Sequence, residues 1–244
     1  MKVCLVGYGK LGSSLAKGLR KAGAEVKVST LPPTDDWARA DGFEVVGLKE
    51  CEEFGDVVVV AVPPSAAEAV VSKLSGKKPV VSTAALVKLE RLRKHVEDVY
   101  RMMPSVTVEV NSSPVLVAER GGRYDELVDQ LVRMVGTPHW VDERTLDAAL
   151  PVVGSGPAVH ALYLQSLVEA MVYSGVDRKL AEKLARESIE GTLKMAEEYD
   201  PYQLRSKVET PGGITVEMSV ELEAQGVFGK IAEVLGRKGR ELSR

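Results

Sequence analysis

Lys2-Val3-Cys4-Leu5-Val6-Gly7-Tyr8-Gly9-Lys10-Leu11-Gly12 follows directly on Met1. A short apolar run rich in β-branched residues leads into three glycines spaced Gly-x-Gly-x-x-Gly. A helical stretch, Ser13 to Ala22, comes next and stops at Gly23, and Glu25–Ser29 reads as a second strand. That context of strand, turn, helix and strand gives the spacing a physical meaning. Gly7 permits a tight turn out of the strand. Gly9 lets the backbone come close to a pyrophosphate, and Gly12 lets the helix pack against the sheet. The helix N-terminus then presents unsatisfied N–H groups to the phosphates. Gly7, Gly9, Lys10, Leu11 and Gly12 are therefore the expected dinucleotide contacts.

Working outward, strand and helix signals alternate. Val57–Val62 is a continuous Val/Ala run, the pattern of a strand buried on both faces. Pro79–Ser82, Val115–Ala118 and a short run near His139–Val141 read as further strands, with helices at Leu89–Val96 and Tyr124–Val135. Past about Thr145 only helical spacing remains: Pro157–Tyr173, Arg178–Tyr199 ended by Pro201, Pro211–Leu222 and Val227–Leu242. The expected fold is α/β: a Rossmann-type parallel-sheet domain over residues 1–144, followed by an all-helical domain over 145–244.

Bulk properties exclude other classes. The 244 residues carry 32 Lys+Arg against 35 Asp+Glu, a net charge of −3, so no basic field points to nucleic acid or to an acidic membrane surface. The longest apolar run is too short to span a bilayer and ends at Pro63-Pro64. Met1 leads into a strand without a signal-sequence pattern, and a cytoplasmic protein is expected. Cys4 and Cys51 make neither a disulfide framework nor a zinc site, and His95, His139 and His160 are too scattered to be metal ligands.

The second strand ends Val28-Ser29-Thr30-Leu31 with no acid at its tip, where an NAD site usually places one on the ribose. Asp35 and Asp36 follow Pro32-Pro33 and are expected in a loop. The hydroxyls of Ser29 and Thr30 can donate to a 2′-phosphate, with Lys10 or Arg39 as a further partner, so the sequence favours NADP, with NAD as the alternative. Ordinary strand-end polarity is the plainer account of Ser29 and Thr30. Ala61-Val62-Pro63 and Ala84 close two strands at their carboxyl ends, where small residues leave room for a nicotinamide ring, or fit strand to helix. 

A second glycine motif, Thr210-Pro211-Gly212-Gly213-Ile214-Thr215, lies in the helical half. Thr210 is a natural N-cap, Pro211 an early helical residue, and Gly212-Gly213 expose backbone N–H groups able to hold a carboxylate. Thr215, about one turn beyond Pro211, could turn its hydroxyl to the same pocket. A well-capped structural helix start is the alternative. Gly154-Ser155-Gly156-Pro157 has a similar build, and Ser155 could touch a ligand or serve as an N-cap.

Asp147-Ala148-Ala149, Gly154-Ser155-Gly156-Pro157-Ala158 and Val208-Glu209-Thr210-Pro211-Gly212-Gly213-Ile214-Thr215 together resemble the signature of pyrroline-5-carboxylate reductases, with Glu198 and Leu222-Glu223 in matching places. The resemblance covers nearly the whole chain. It implies a homodimer through the helices, extending to a larger ring. It also implies NAD(P)H-dependent reduction of 1-pyrroline-5-carboxylate to L-proline, a reaction of proline biosynthesis. Thr215 would hydrogen-bond the imine nitrogen, while Thr210, Pro211, Gly212, Gly213, Ser155 and Glu198 would lie at the substrate. Glu198 read on its own is a solvated charge. The chain departs from the pattern in several places. Pro63 stands for a lysine and Leu86 for a glycine. Ser105-Val106-Thr107 stands for Asn-Thr-Pro, and Leu150 and Val153 replace a threonine and a serine. Lost polar groups and added bulk leave two alternatives open: a reductase of another small imine or carbonyl acid, and a non-catalytic NADP-binding relative.

Overall fold

Val57–Val60 forms β4 at the middle of the sheet, and all four valines are fully buried. Val57 and Val59 enter one apolar cluster, Val58 and Val60 the other. Successive side chains of a strand point to opposite faces, so both faces of β4 are covered. β1 (Lys2–Val6) behaves alike, with Val3 and Leu5 on the first face and Cys4 and Val6 on the second.

The computed structural model describes residues 1–244 as two compact units, Met1–Pro157 with Lys238–Arg244, and Ala158–Arg237. In the first, eight strands form one sheet. Besides β1 and β4 these are β2 (Glu25–Ser29), β3 (Glu44–Val45), β5 (Val80–Ser82), β6 (Val99–Met103), β7 (Ser113–Ala118) and β8 (Gly136–Val141), in the order β3-β2-β1-β4-β5-β6-β7-β8. The strands from β3 to β6 run parallel, as expected of a Rossmann-type sheet. β7 is antiparallel to β6, and β8 runs parallel to β7.

Helices α1 (Lys10–Lys21) and α6 (Asp125–Arg133) bury Leu15, Leu19, Val128, Leu131 and Val132 on the first face. On the other face lie α3 (Leu48–Phe54), α4 (Pro64–Val71), α5 (Leu89–Leu92) and α7 (Glu143–Val153), through Cys51, Ala67, Val71, Leu89, Leu92 and Leu146. α2 (Thr34–Ala40) follows β2. Asp35 and Asp36 therefore lie in the first turn of a helix, not in a loop, where acidic side chains suit the positive end of the helix dipole. A disulfide joins Cys4 to Cys51, a pairing the spacing of the two cysteines does not announce. It arises because α3 packs over β1 and brings residues 47 positions apart to a Cα separation of 5.0 Å.

The second unit is helical: most of α8 (Gly156–Tyr173), then α9 (Arg178–Met195), α10 (Pro201–Val208), α11 (Ile214–Ala224) and much of α12 (Val227–Leu242). Its buried core is small, Val168, Ala181 and Ala185, with Leu164, Leu167, Met171, Val172 and Val176 around it. Leu162, Leu193, Ile214, Met218 and Val220 are all more than half exposed. None of the helices is long and apolar enough to cross a membrane.

Candidate active site

The glycine turn after β1 is held by close packing on two sides. Gly7 has φ +99°, and a Cβ built on it would lie 2.5 Å from the Ala61 carbonyl oxygen. A Cβ on Gly12 would lie 2.3 Å from the Gly7 carbonyl oxygen. Gly9 differs, since a Cβ there would meet nothing within 4 Å. Open space beside Gly9 is what the approach of a pyrophosphate requires. Gly9 is also the N-cap of α1, and no side chain caps that helix or places an acid in its first turn. The N–H groups of Lys10 and Leu11 are left for an anion, and the residues present fit a dinucleotide.

Tyr8, between the glycines, points inward and is 1% exposed. Its hydroxyl donates to Asp41 Oδ2 at 2.7 Å, and Lys17 Nζ lies 3.0 Å from the same oxygen. Burial first, then the hydrogen bond to Asp41, pushes the Tyr8 hydroxyl pKa up. The Tyr8 hydroxyl and then Lys17 pull the Asp41 carboxyl down. The sequence reading missed this anchor, whose partner lies 33 positions away.

Ser29 is the last residue of β2, and its carbonyl accepts the Gly7 N–H at 2.8 Å. Its side chain is nearly buried. Thr30 Oγ1 shares a hydrogen bond with Thr34 Oγ1 at 2.6 Å. Arg39 is drawn away as a 2′-phosphate partner, because its guanidinium bonds Asp35 at 2.8 Å. Lys10 stays exposed. Ala61 and Val62 pack against the glycine turn, Pro63 is the exposed N-cap of α4, and Ala84 is buried in the core below the carboxyl end of β5. Ser105 is turned into the fold: its hydroxyl bonds Thr107 Oγ1 at 2.7 Å and Ser113 Oγ at 3.3 Å.

Beyond β5, Lys88 and Leu89 are tied to α7. Lys88 Nζ bonds Asp147 Oδ2 at 2.6 Å, and the Leu89 N–H donates to Glu143 Oε1 at 2.9 Å. Arg101 of β6, 1% exposed, donates to the same two carboxylates, at 2.6 Å each. Burial opposes the charge on Arg101, yet its hydrogen bonds to Asp147 and Glu143 outweigh that and raise its pKa. The network fixes α7, which ends at Val153 against the sheet. A Cβ on Gly154 would stand 3.6 Å from Met103 Cγ, with Ser155 exposed just beyond.

Within the second unit, the Pro-Gly-Gly segment is not yet helix. α11 begins at Ile214 with Gly213 as its N-cap, so neither Thr210 as N-cap nor Pro211 as an early helical residue holds. Gly212 has φ +72°, and the Gly213 N–H donates to the Thr210 carbonyl at 2.9 Å, the pattern of a type II turn with Pro and Gly at its centre. No side chain caps α11 either, and Thr215 sits half-buried in its first turn. Glu198 is exposed just past α9.

The family described as pyrroline-5-carboxylate reductase dimerisation matches residues 143–240, and the family described as NADP oxidoreductase, coenzyme F420-dependent, matches residues 2–86. The pyrroline-5-carboxylate reductase of Aquifex aeolicus is 30% identical to this chain, over 100% of the chain and 97% of that protein. The Pisum sativum protein of the same name is 30% identical over 98% of the chain and 94% of its own length. Among solved structures, the Plasmodium falciparum pyrroline carboxylate reductase with NADP bound superposes with a TM-score of 0.88 at 23% identity, covering 100% of this chain and 97% of that one, a likeness of fold. A pyrroline-5-carboxylate reductase from Coxiella burnetii gives 0.78 at 26% identity over 99% of this chain and 98% of that one. Matched from end to end at 30% identity, with the glycine turn and the Pro-Gly-Gly segment both present, the chain belongs to the pyrroline-5-carboxylate reductase family.

Proposed function

We infer that this protein reduces 1-pyrroline-5-carboxylate to L-proline with NAD(P)H, NADP being the preferred cofactor. The observation that carries this reading is the uncapped N-terminus of α1, with open space at Gly9, in a chain that matches its reductase relatives along their full length. When bound, the reduced nicotinamide supplies the hydride that goes to the imine carbon, and the imine nitrogen gains a proton from solvent or arrives already protonated.

The protein's share is binding and orientation. Gly7, Gly9, Lys10, Leu11 and Gly12 hold the pyrophosphate. Ser29 and Thr30 lie toward the 2′-phosphate, and Ala61, Val62, Pro63 and Ala84 shape the far end. Thr210, Pro211, Gly212 and Gly213 present the turn and helix start that take the substrate carboxylate, and Thr215 donates to or accepts from the imine nitrogen. Ser155 and Glu198 complete the proposed set. As a domain division we propose residues 1–144 for the cofactor and 145–244 for substrate and subunit contacts.

The exposed apolar side chains of α8, α9 and α11, over so small a buried core, support a homodimer formed through this region, and dimers assembled into a larger ring are the next step of the same proposal. Light scattering on the pure protein tests both. NADPH oxidation with pyrroline-5-carboxylate, run beside NADH, tests the reaction: turnover faster with NADPH is expected. NADPH binding without turnover on this imine would overturn the assigned substrate.

A further inference from the structure

α10 and α11 flank the turn over residues 210–213, and neither helix buries a side chain within the protomer. Apolar burial therefore contributes little to how one helix is set against the other. The turn between them is tight: Gly212 has φ +72°, and a Cβ on Gly213 would stand 2.6 Å from Thr210 Oγ1.

Polar contacts hold the pair. At the start of α10, Asp200 accepts from the Tyr202 and Gln203 N–H groups, and the Gln203 side chain accepts the Asp200 N–H in return. Lys207 Nζ lies 4.2 Å from the centre of the Tyr199 ring. Toward the end of α10 stands Arg205. Its Nε donates to Glu209 Oε1 at 2.5 Å, and its Nη1 donates to Glu223 Oε1. Glu209 is the C-cap of α10, immediately before Thr210, and Glu223 lies in the last turn of α11. One guanidinium thus bridges the two helices across the turn. Glu223 and then Glu209 raise the Arg205 pKa, and Arg205 and then the Ser219 hydroxyl hold the Glu209 carboxyl below its usual value.

Residues four apart lie on one face of a helix. Thr215, Ser219 and Glu223 follow at that spacing along α11. Thr215 and Ser219 are half-buried, while Ile214, Met218 and Val220 are more than half exposed. Arg205 and Glu209 therefore grip α11 by the stripe that carries Thr215.

We propose that Arg205 is a positioning residue: by holding Glu209 and Glu223 together it fixes the rotation of α11 against the turn, and with it the direction of the Thr215 hydroxyl. The proposal rests on the reductase reading for the role of Thr215. Arg205 acts through Thr215 and not on the substrate.

The test compares wild type with Arg205→Met, which keeps an apolar stem and loses the fork, and Arg205→Lys, whose single ammonium cannot match a guanidinium on two carboxylates. Hydrogen exchange needs no turnover. Amides within residues 210–215 should exchange about fivefold faster in Arg205→Met, the size expected of a partly exposed charge network, and those within residues 7–12 at the wild-type rate. With pyrroline-5-carboxylate, kcat should fall about fivefold in Arg205→Met and by less in Arg205→Lys, while NADPH affinity stays that of wild type. Added to Thr215→Ala, Arg205→Met should cost less than about twofold more, because the hydroxyl it directs is gone. Equal exchange in wild type and Arg205→Met would overturn the proposal, as would the full loss in kcat repeated on Thr215→Ala. Wild type that binds NADPH but reduces no pyrroline-5-carboxylate sinks the reductase reading, while the exchange rates still decide whether Arg205 holds the turn.

Discussion

Arg101 Nη2 donates to Asp147 Oδ1 at 2.6 Å with both side chains out of solvent. Through this pair β6 holds α7, and through Lys88 the same carboxylate holds the segment that follows Leu86. Removing one partner of a buried pair leaves an uncompensated charge, and the penalty exceeds what the pair itself contributes. Asp147→Ala is expected to destabilise the fold by about 3 kcal/mol, and Arg101→Met combined with Asp147→Leu by clearly less. Urea unfolding of the two variants checks this. Equal losses would mean that the charges themselves stabilise the sheet.

Tyr8 and Asp41 make the turn sensitive to pH at both extremes. The Asp41 pKa is lowered in the fold, so its contribution is present above its unfolded value of about 4 and is lost as pH falls through the lower folded value. The Tyr8 pKa is raised, so its contribution is present below about 10 and is lost as pH rises toward the folded value. Tyr8→Phe keeps the ring in the core and deletes the hydrogen bond. It should cost about 1 kcal/mol at neutral pH and flatten both limbs of a plot of Tm against pH. Limbs as steep as those of wild type would remove Tyr8 and Asp41 as their source.

Gly9 and Gly12 separate binding from folding. Gly9 has φ −76° and open space, so Gly9→Val should fold with Tm near that of wild type yet fail to bind NADPH in a fluorescence titration. Gly12→Ala drives a methyl into the Gly7 carbonyl and should lower stability by about 1–3 kcal/mol before any cofactor is added. Normal NADPH binding by Gly9→Val would move the pyrophosphate away from α1.

What could be read from the chain alone follows from how local each signal is. β1, β2 and the valine run of β4 were legible because apolar residues without helical period bounded by glycine or proline leave few other readings. β6 was hidden by Arg101, a charge buried in a strand whose five residues are all buried, its neutralising carboxylates lying more than forty positions away. α7 was obscured by Pro151 within it. At the Pro-Gly-Gly segment the residue types suited a capped helix and a type II turn alike. The positive φ of Gly212 settles for the turn and moves the helix start three residues on. The sequence shows Leu86 as bulk in place of glycine, but its φ of +64° is a backbone property that no side-chain pattern displays.

Thr215 is where the proposed chemistry is most exposed to test. It lies in the uncapped first turn of α11, half-buried, two residues past Gly213. Where its hydroxyl donates to an unprotonated imine nitrogen, electron density builds on that nitrogen as the hydride arrives, so the bond counts for more in the transition state than in the ground state. A hydrogen bond to a charged group contributes about 1.5–3 kcal/mol, which converts to a loss of about 10- to 100-fold in kcat for Thr215→Ala. NADPH affinity should not move, because the cofactor contacts lie on other elements. Thr215→Ser keeps the hydroxyl and should recover most of the rate. A loss shared by alanine and serine variants alike would assign Thr215 to packing of α11, and unchanged kcat in both would remove it from the reaction.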